Sequence, residues 1–240
     1  MIRTEHISKE YRNFTACENI NISIPKEKIT GLFGPNGAGK STCFHIITGL
    51  IQASTGNLYL EDENITCLPT HLRAKKGISF LPQDSSIFRG LTVKENILAV
   101  LELRSDLKFW QRNEKLEELL VRFQLEKVAN TQSNLVSGGQ RRRTEIARAL
   151  ASEPKYILLD EPFAGIDPKA ITEIKRLIVK IQEEDKVGIL ITDHNVKETL
   201  PLCNEAYVLH NGHILAHGTP NELQNNESVI EHYLGEENQF

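Results

Sequence analysis

One eight-residue stretch constrains this chain more than any other: Gly34-Pro35-Asn36-Gly37-Ala38-Gly39-Lys40-Ser41. It has the spacing G-x-x-x-x-G-K-[ST] and follows an apolar run, Ile29 to Phe33, that reads as a buried strand. A helix is predicted to begin near Lys40. Average composition would produce this pattern in about 1% of chains of such length, so the strand–turn–helix context lifts it above a mere Gly-rich turn. The glycines let the backbone curl until its N–H groups point inward at phosphate oxygens. The helix N-terminus adds partial positive charge. Lys40 can reach the outer phosphates, the Ser41 hydroxyl can ligate Mg²⁺, and Thr42 continues the same turn.

A second constellation is Tyr156-Ile157-Leu158-Leu159-Asp160-Glu161-Pro162. Four apolar residues form a strand that delivers two carboxylates at its end. Asp160 can serve the Mg²⁺ shell, and Glu161 can polarise an attacking water. Adjacent acids at a strand end are often ordinary loop residues; beside a phosphate loop that alternative loses its force. Ile78 to Leu81 and Gly188 to Thr192 read as further strands, each with polar residues following it. Short apolar runs alternating with amphipathic stretches predict an α/β fold, whose ligands lie at the carboxyl ends of the strands.

Composition sets the limits. Of 240 residues, 40% are apolar and 25% charged, which excludes disorder as the dominant state. The net charge of −4 argues against a protein that coats nucleic acid. No apolar run approaches the roughly 18–20 residues that span a bilayer, and the N-terminus carries no secretory apolar stretch. Cys17, Cys43, Cys67 and Cys203 are scattered, with no Cys-x-x-Cys pair; the expectation is free buried thiols in a reducing compartment.

Residues 93 to 150 differ in character. Leu116, Leu119, Leu120 and Phe123 fall at helical spacing, and another helix is expected from about Gln140 to Ala151 with Ile146, Ala147 and Leu150 inward. The stretch reads as a helical subdomain at approximately 88–152, inserted in a single domain covering 1–240. Asn211-Gly212 between two apolar runs predicts a hairpin. A C-terminal helix and tail are expected at approximately 218–240.

Leu135-Val136-Ser137-Gly138-Gly139-Gln140 lies upstream of Asp160-Glu161 and resembles the signature motif of ABC-type ATPases. The resemblance covers nearly the whole chain. It implies a P-loop NTPase core of ABC type with an N-terminal β-rich subdomain and the inserted helices. It implies ATP and Mg²⁺ as ligands, and a head-to-tail homodimer with two ATP at its interface. Ser137, Gly138, Gly139 and Gln140 would close over the phosphates of a second copy, as helix N-termini favour anions. Tyr11 resembles the aromatic residue that stacks on adenine. Gln83 resembles the glutamine that senses Mg²⁺ and the attacking water. Asp167 resembles the acid that crosses the dimer interface, and His194 the switch histidine at the γ-phosphate. Glu161, His194 and Gln83 would be catalytic; Ser41, Gln83 and Asp160 would hold Mg²⁺. The other histidines match no motif. Arg141, Arg142 and Arg143 are expected on a solvated helix face. Val136 replaces the family's usual leucine, and Ala164 lacks the hydroxyl commonly found there, which puts one hydrogen bond across the interface in doubt.

Three stretches narrow the resemblance to the ATPases of bacterial lipopolysaccharide exporters: Ser86 to Asn96, Leu159 to Pro168 continuing into Thr192 to Val196, and Tyr233 to Glu236. This implies a peripheral subunit on the cytoplasmic face of the inner membrane. It would work with two integral-membrane subunits that handle the lipopolysaccharide, without nucleic acid. Phe88 and Arg89 would then grip a partner helix, since aromatics and Arg are enriched in such anchors; Phe88 could instead fill a seam between two lobes. Branched-chain amino-acid importers share part of the pattern and remain the alternative. A soluble ABC module acting on DNA or ribosomes fits less well, because one ATPase unit and no long heptad run are present. A GTPase fits less still, for want of an Asn-Lys-x-Asp motif.

Overall fold

The computed structural model describes residues 1–235. The chain opens with β1 (Ile2–Tyr11), β2 (Phe14–Ile20), β3 (Ser23–Ile24) and β4 (Ile29–Phe33), then α1 (Lys40–Thr48), β5 (Thr55–Leu60) and β6 (Glu63–Asn64). It continues with α2 (Thr70–Lys75), β7 (Ile78–Leu81), α3 (Val93–Leu101), α4 (Phe109–Arg122) and α5 (Gly138–Leu150). Then come β8 (Tyr156–Asp160), α6 (Pro168–Glu184), β9 (Gly188–Thr192), α7 (Val196–Thr199), β10 (Glu205–His210) and β11 (His213–Gly218). Two short helices, α8 (Pro220–Gln224) and α9 (Glu227–Val229), follow, the latter running into a π-helical turn at Ile230–Leu234.

Two sheets result. The six-stranded one has the order β11-β10-β4-β9-β8-β7, parallel except for β11. Every residue of β4, β8 and β9 is buried, which is why these segments read as unbroken apolar runs rather than alternating ones. The other sheet is antiparallel, β2-β1-β5-β6 with β3 beside β1, and makes the expected N-terminal β-rich part.

The expected helical stretch is present as α3, α4 and α5. Thr92 starts α3 with a capping box to Glu95, worth about 1 kcal/mol. Val93, Ile97 and Leu101 of α3 pack in one core with Leu116, Leu119, Leu120 and Phe123 and with Ile146, Ala147 and Leu150. The hairpin at Asn211-Gly212 has both residues at positive φ, 47° and 79°, as a type I′ turn demands.

Two expectations need correction. Cys17, Cys43 and Cys203 are buried thiols, but Cys67 is exposed; it lies in the loop before α2, outside any apolar pattern. The C-terminal stretch is not one helix. Asn225 leaves helical geometry and Asn226 caps a new start by accepting from the Val229 N–H, a role amide side chains favour over helix interiors. Glu236 to Phe240 lie outside the described residues. Among the described residues no helix is long and apolar enough to cross a membrane.

Candidate active site

The strand order brings the sequence motifs together. Adjacent strands β4, β9, β8 and β7 run parallel, so their carboxyl ends form one edge with a spacing of about 4.8 Å per strand. Gly34 follows β4, His194 lies just beyond β9, Asp160-Glu161 ends β8, and Gln83 lies just beyond β7. Residues some 160 positions apart thus meet at the sheet edge where open α/β folds place their ligands.

A cleft of about 350 Å³ opens there, lined by Asn36 to Thr42, Gln83, Glu161 and His194 together with Phe14 and Ala16. Its floor depends on glycine. Gly34 has φ 147°, and a Cβ on it would stand 2.2 Å from the Leu209 carbonyl oxygen. Gly39 has φ 101°, and its Cβ would stand 2.4 Å from the Ala16 carbonyl oxygen. Lys40 is buried, and its ammonium donates to the carbonyls of Gly34 (2.7 Å) and Pro35 (2.9 Å). Burial pushes its pKa down, opposed by the charges of Glu161 and Asp160. Phosphate oxygens are stronger acceptors than these carbonyls, so the side chain is poised to exchange them.

Glu161 is gripped from both sides. Gln83 Nε2 donates to one carboxylate oxygen at 2.6 Å, and His194 Nε2 meets the other at 2.7 Å. The backbone of Glu161 is left-handed, φ 46°, a conformation costing an ordinary residue about 1–2 kcal/mol. It turns the side chain out of the β8 line, and the Glu161 N–H donates to Thr192 O at 3.0 Å. Burial pushes the Glu161 carboxyl up; His194 pulls it down, and Asp160 and Asp193 push it up again. Burial likewise raises Asp160 and Asp193. The buried Asp193 carboxylate accepts from the Asn195 N–H at 2.8 Å and from the Phe163 backbone. Three carboxyls crowded in low dielectric, with Lys40 beside two of them, favour an incoming cation.

The chemistry of the donors suits Mg²⁺. Ser41, Asp160 and Gln83 offer hard oxygens, and Asp160 is buried with no ion pair among the described residues. Among those residues no group of three His, Cys, Asp or Glu is placed to hold a metal alone.

Not every expected residue lies in this cleft. Ser137 caps α5 in a box with Gln140: its hydroxyl accepts from the Gln140 N–H at 3.2 Å, and its own N–H donates to Gln140 Oε1 at 3.0 Å. Gly138 lies instead in a separate cleft of about 260 Å³ with Gly165 and Ile166. Asp167 caps α6 through the Ala170 N–H at 3.0 Å. Tyr11 stands directly across the β1–β2 hairpin from Phe14, but Phe14, 61% exposed, is the aromatic that lines the cleft. Phe14 carried only a weak signal, an apolar residue in a polar turn.

The arginine run needs a correction as well. Arg142 is buried, not solvated. Its guanidinium donates to the carbonyls of Pro162 (3.0 Å), Pro82 (3.2 Å), Asp160 and Glu161 (3.3 Å each), and to Glu145 at 3.0 Å. The buried Glu145 carboxylate also accepts from the Ser85 hydroxyl (2.6 Å) and the Ser86 N–H (2.9 Å). Arg142 therefore fixes the backbone on either side of Gln83 and Glu161. The clue was present: Gly139, Arg142, Ile146 and Leu150 share one face at i, i+3, i+4 spacing.

Phe88 is 51% exposed. Asn96 holds the loop by accepting from the Phe88 N–H (2.9 Å) and donating to its carbonyl (3.1 Å), and the Arg148 guanidinium lies 5.0 Å from the ring centre. The ring does not fill a seam. Arg89 lines a neighbouring cleft with Ile87, Asn134 and Arg141.

A phosphate loop, an acid pair at the adjoining strand and a Ser-Gly-Gly helix start define the class. Residues 17–164 match the ABC transporter family, and the chain belongs to it; it is an ABC-type ATPase. It is 45% identical over 236 residues to the lipopolysaccharide export system ATP-binding protein LptB of Escherichia coli K12, covering 98% of each chain. It is 46% identical over 237 residues to the same-named protein of Haemophilus influenzae, covering 99% of this chain and 98% of that one. Residues 213–238 also match a family of branched-chain amino acid ATP-binding cassette transporters. Among solved structures, a nucleotide-free ATP-binding cassette from an ABC transporter superposes with a TM-score of 0.86 at 30% identity, covering 97% of this chain and 98% of that one. A dimeric bacterial ABC transporter cassette superposes with a TM-score of 0.82 at 29% identity, covering 92% of this chain and 99% of that one.

Proposed function

We propose that this chain is the ATP-hydrolysing motor of a transporter that draws lipopolysaccharide out of the bacterial inner membrane for export. The observation that carries the reading is the 45% identity over 98% of the chain to a lipopolysaccharide export ATPase. The site explains how such a motor would turn over. The Gly34–Gly39 loop, Lys40 and Ser41 hold the triphosphate. Glu161, freed from Gln83 and His194 as ATP enters, takes the proton of the attacking water. Its upward-shifted carboxyl is a better base than a solvated one, because basicity rises with pKa. His194 then donates to the γ-phosphate, and Lys40 spreads the charge on the phosphoryl oxygens. Ser41, Asp160 and Gln83 would hold Mg²⁺, which when bound neutralises phosphate charge.

The residues outside the cleft find their use in a dimer. The N–H groups of Gly138 and Gly139 at the α5 start, and Asp167 with its loop, face the phosphates of a second copy in a head-to-tail pair. The likeness to a dimeric cassette supports this arrangement. Phe14 walls the adenine side, with Tyr11 across the hairpin behind it. Phe88, held rigid by Asn96 and Arg148, and Arg89 receive a helix of one membrane subunit, the second copy of the chain receiving that of the other, which places the chain on the cytoplasmic face of the inner membrane.

The match of residues 213–238 favours one other reading, the ATPase of a branched-chain amino-acid importer. Affinity purification of the tagged protein from gently solubilised native membranes, followed by mass spectrometry, separates the two. Export-type membrane subunits with a periplasmic bridge protein are expected. Amino-acid permease subunits would overturn the exporter reading and leave the ATP site untouched.

A further inference from the structure

The Asn211-Gly212 turn, a hairpin signal for which the ATP site has so far had no use, ends at the nucleotide cleft. The Gly212 N–H donates to the Ala38 carbonyl of the phosphate loop at 3.3 Å, and the Gly212 carbonyl accepts from the Glu18 N–H of β2 at 2.8 Å. One residue thus joins the loop that takes the phosphates to the strand that carries Phe14 and Ala16, both of which line the cleft. Two close approaches hold the same junction. The Leu209 carbonyl of β10 lies against Gly34, and the Ala16 carbonyl of β2 lies against Gly39. The ion pair between His213 and Glu18, 3.6 Å across this junction, is exposed at both ends, and such pairs are worth little. The backbone bonds carry it.

Strand order explains why a bridge is needed there. β2 is an edge of the antiparallel sheet, whereas the phosphate loop grows from β4 of the parallel one. No ladder therefore sets the distance between them. An edge strand leaves a row of N–H and C=O groups outside its ladder, and those that are covered must find partners. The Glu18 N–H finds Gly212. The shape of the turn points the same way. Gly212 has φ 79°, and the three atoms nearest to a Cβ built on it, at 3.4–3.6 Å, all belong to the backbone of Ala16 and Cys17. A methyl at Gly212 would press on β2 and not on the phosphate loop.

We propose that the Asn211-Gly212 turn is a positioning element for the nucleotide: it fixes β2 at the spacing from the phosphate loop at which Phe14 covers adenine while the loop holds the phosphates. The inference rests on the reading of Phe14 as the adenine wall. A bound nucleotide uses both elements at once. If their spacing is set beforehand, binding does not have to order it; if the turn is loosened, that cost falls on affinity. The turn touches neither Glu161 nor the residues that grip it, so the chemical step does not depend on it. Loosening it raises KM and leaves kcat in place.

The test uses the full chain and follows ADP binding by calorimetry and ATP hydrolysis at steady state. Gly212→Ala adds the methyl that presses on β2. Glu18→Pro removes the donor to Gly212 on the unladdered side of an edge strand, where proline is tolerated, and stands in should alanine at a positive φ impair folding. Each is expected to raise the ADP Kd and the ATP KM about tenfold, within the range of one base–aromatic stack, with kcat at saturating ATP unchanged. Asn211→Gly keeps a type I′ turn and is expected to bind as the parent does. Phe14→Ala is expected to weaken ADP by a similar factor, and adding Gly212→Ala to it is expected to cost little more, because the wall that the turn holds is already gone. Turn variants that bind normally while Phe14→Ala does not, or losses that multiply in the double variant, would overturn the proposal alone. An unchanged Kd in Phe14→Ala would overturn the adenine-wall reading and the proposal with it. A kcat that falls in step with affinity would mark a general loss of structure and overturn the positioning role.

Discussion

Replacing Arg142 with methionine tests whether the backbone around Gln83 and Glu161 is held from behind. The substitution keeps most of the volume and removes the guanidinium. It leaves the Glu145 carboxylate, 2% exposed as a side chain, without its cationic partner. It also strips donors from the carbonyls of Pro82, Asp160, Glu161 and Pro162. Breaking one half of a buried ion pair costs about 3–5 kcal/mol, and Ser85 and Ser86 still donate to Glu145, which points to the lower half of that range. For a chain of this length such a loss lowers Tm by about 10 °C. Burial lowers the Arg142 pKa more than Glu145 and the nearby acids raise it, so the attraction within the pair does not fully offset the cost of burying the guanidinium. The double variant Arg142→Met, Glu145→Leu is therefore expected to recover at least about 1 kcal/mol of the single variant's loss. Urea denaturation of parent, singles and double closes the cycle. A single-variant loss under about 1 kcal/mol, or strict additivity in the double, would refute the reasoning.

Three further predictions rest on other features. Gly34→Ala is expected to cost at least about 3 kcal/mol by thermal denaturation and to abolish nucleotide binding, since its Cβ would overlap the Leu209 carbonyl at a φ that disfavours side chains; a stable, ATP-binding variant would refute the close approach. Burial raises the folded-state pKa of Asp160 above its ordinary 3.8, so the native state binds that proton more tightly than the unfolded chain. Its stability contribution is thus present below 3.8 and is lost as pH rises through the folded value. Asp160→Asn is then expected to stabilise the nucleotide-free protein at pH 7.5 and not at pH 4; equal effects at both would contradict a desolvated carboxylate. Arg122 bridges α4 to Asp185 and Glu184 at the end of α6, and Arg122→Met is expected to cost about 1 kcal/mol, shrinking in 1 M salt, by urea titration at two ionic strengths.

The readable parts of the site were those encoded by contiguous residues. Gly34 to Ser41 and Asp160-Glu161 carry their chemistry within one turn, and the apolar runs before them mark strands buried on both faces. Gln83 and His194 were legible only through resemblance, because nothing local distinguishes them. Their meeting at Glu161 is set by the order β4-β9-β8-β7, a tertiary fact. Arg142 was misread because three consecutive arginines suggest a solvated face, although its helical register placed it with Gly139 and Ile146. Phe14 and Tyr11 show the limit of register reading in a tight hairpin. They are cross-strand partners, and which ring lines the cleft depends on local bulges in β1 that no alternation pattern reveals.

The central claim is that Glu161 takes the proton from water in a cleft completed by a second copy. Glu161→Gln keeps the shape and removes the base. Measured side by side, the variant is expected to bind ATP as the parent does and to lose at least about 10²-fold in steady-state hydrolysis. It is also expected to accumulate in sedimentation as a dimer holding two ATP. Near-parental hydrolysis in the variant, or a monomer at saturating ATP, would contradict the account.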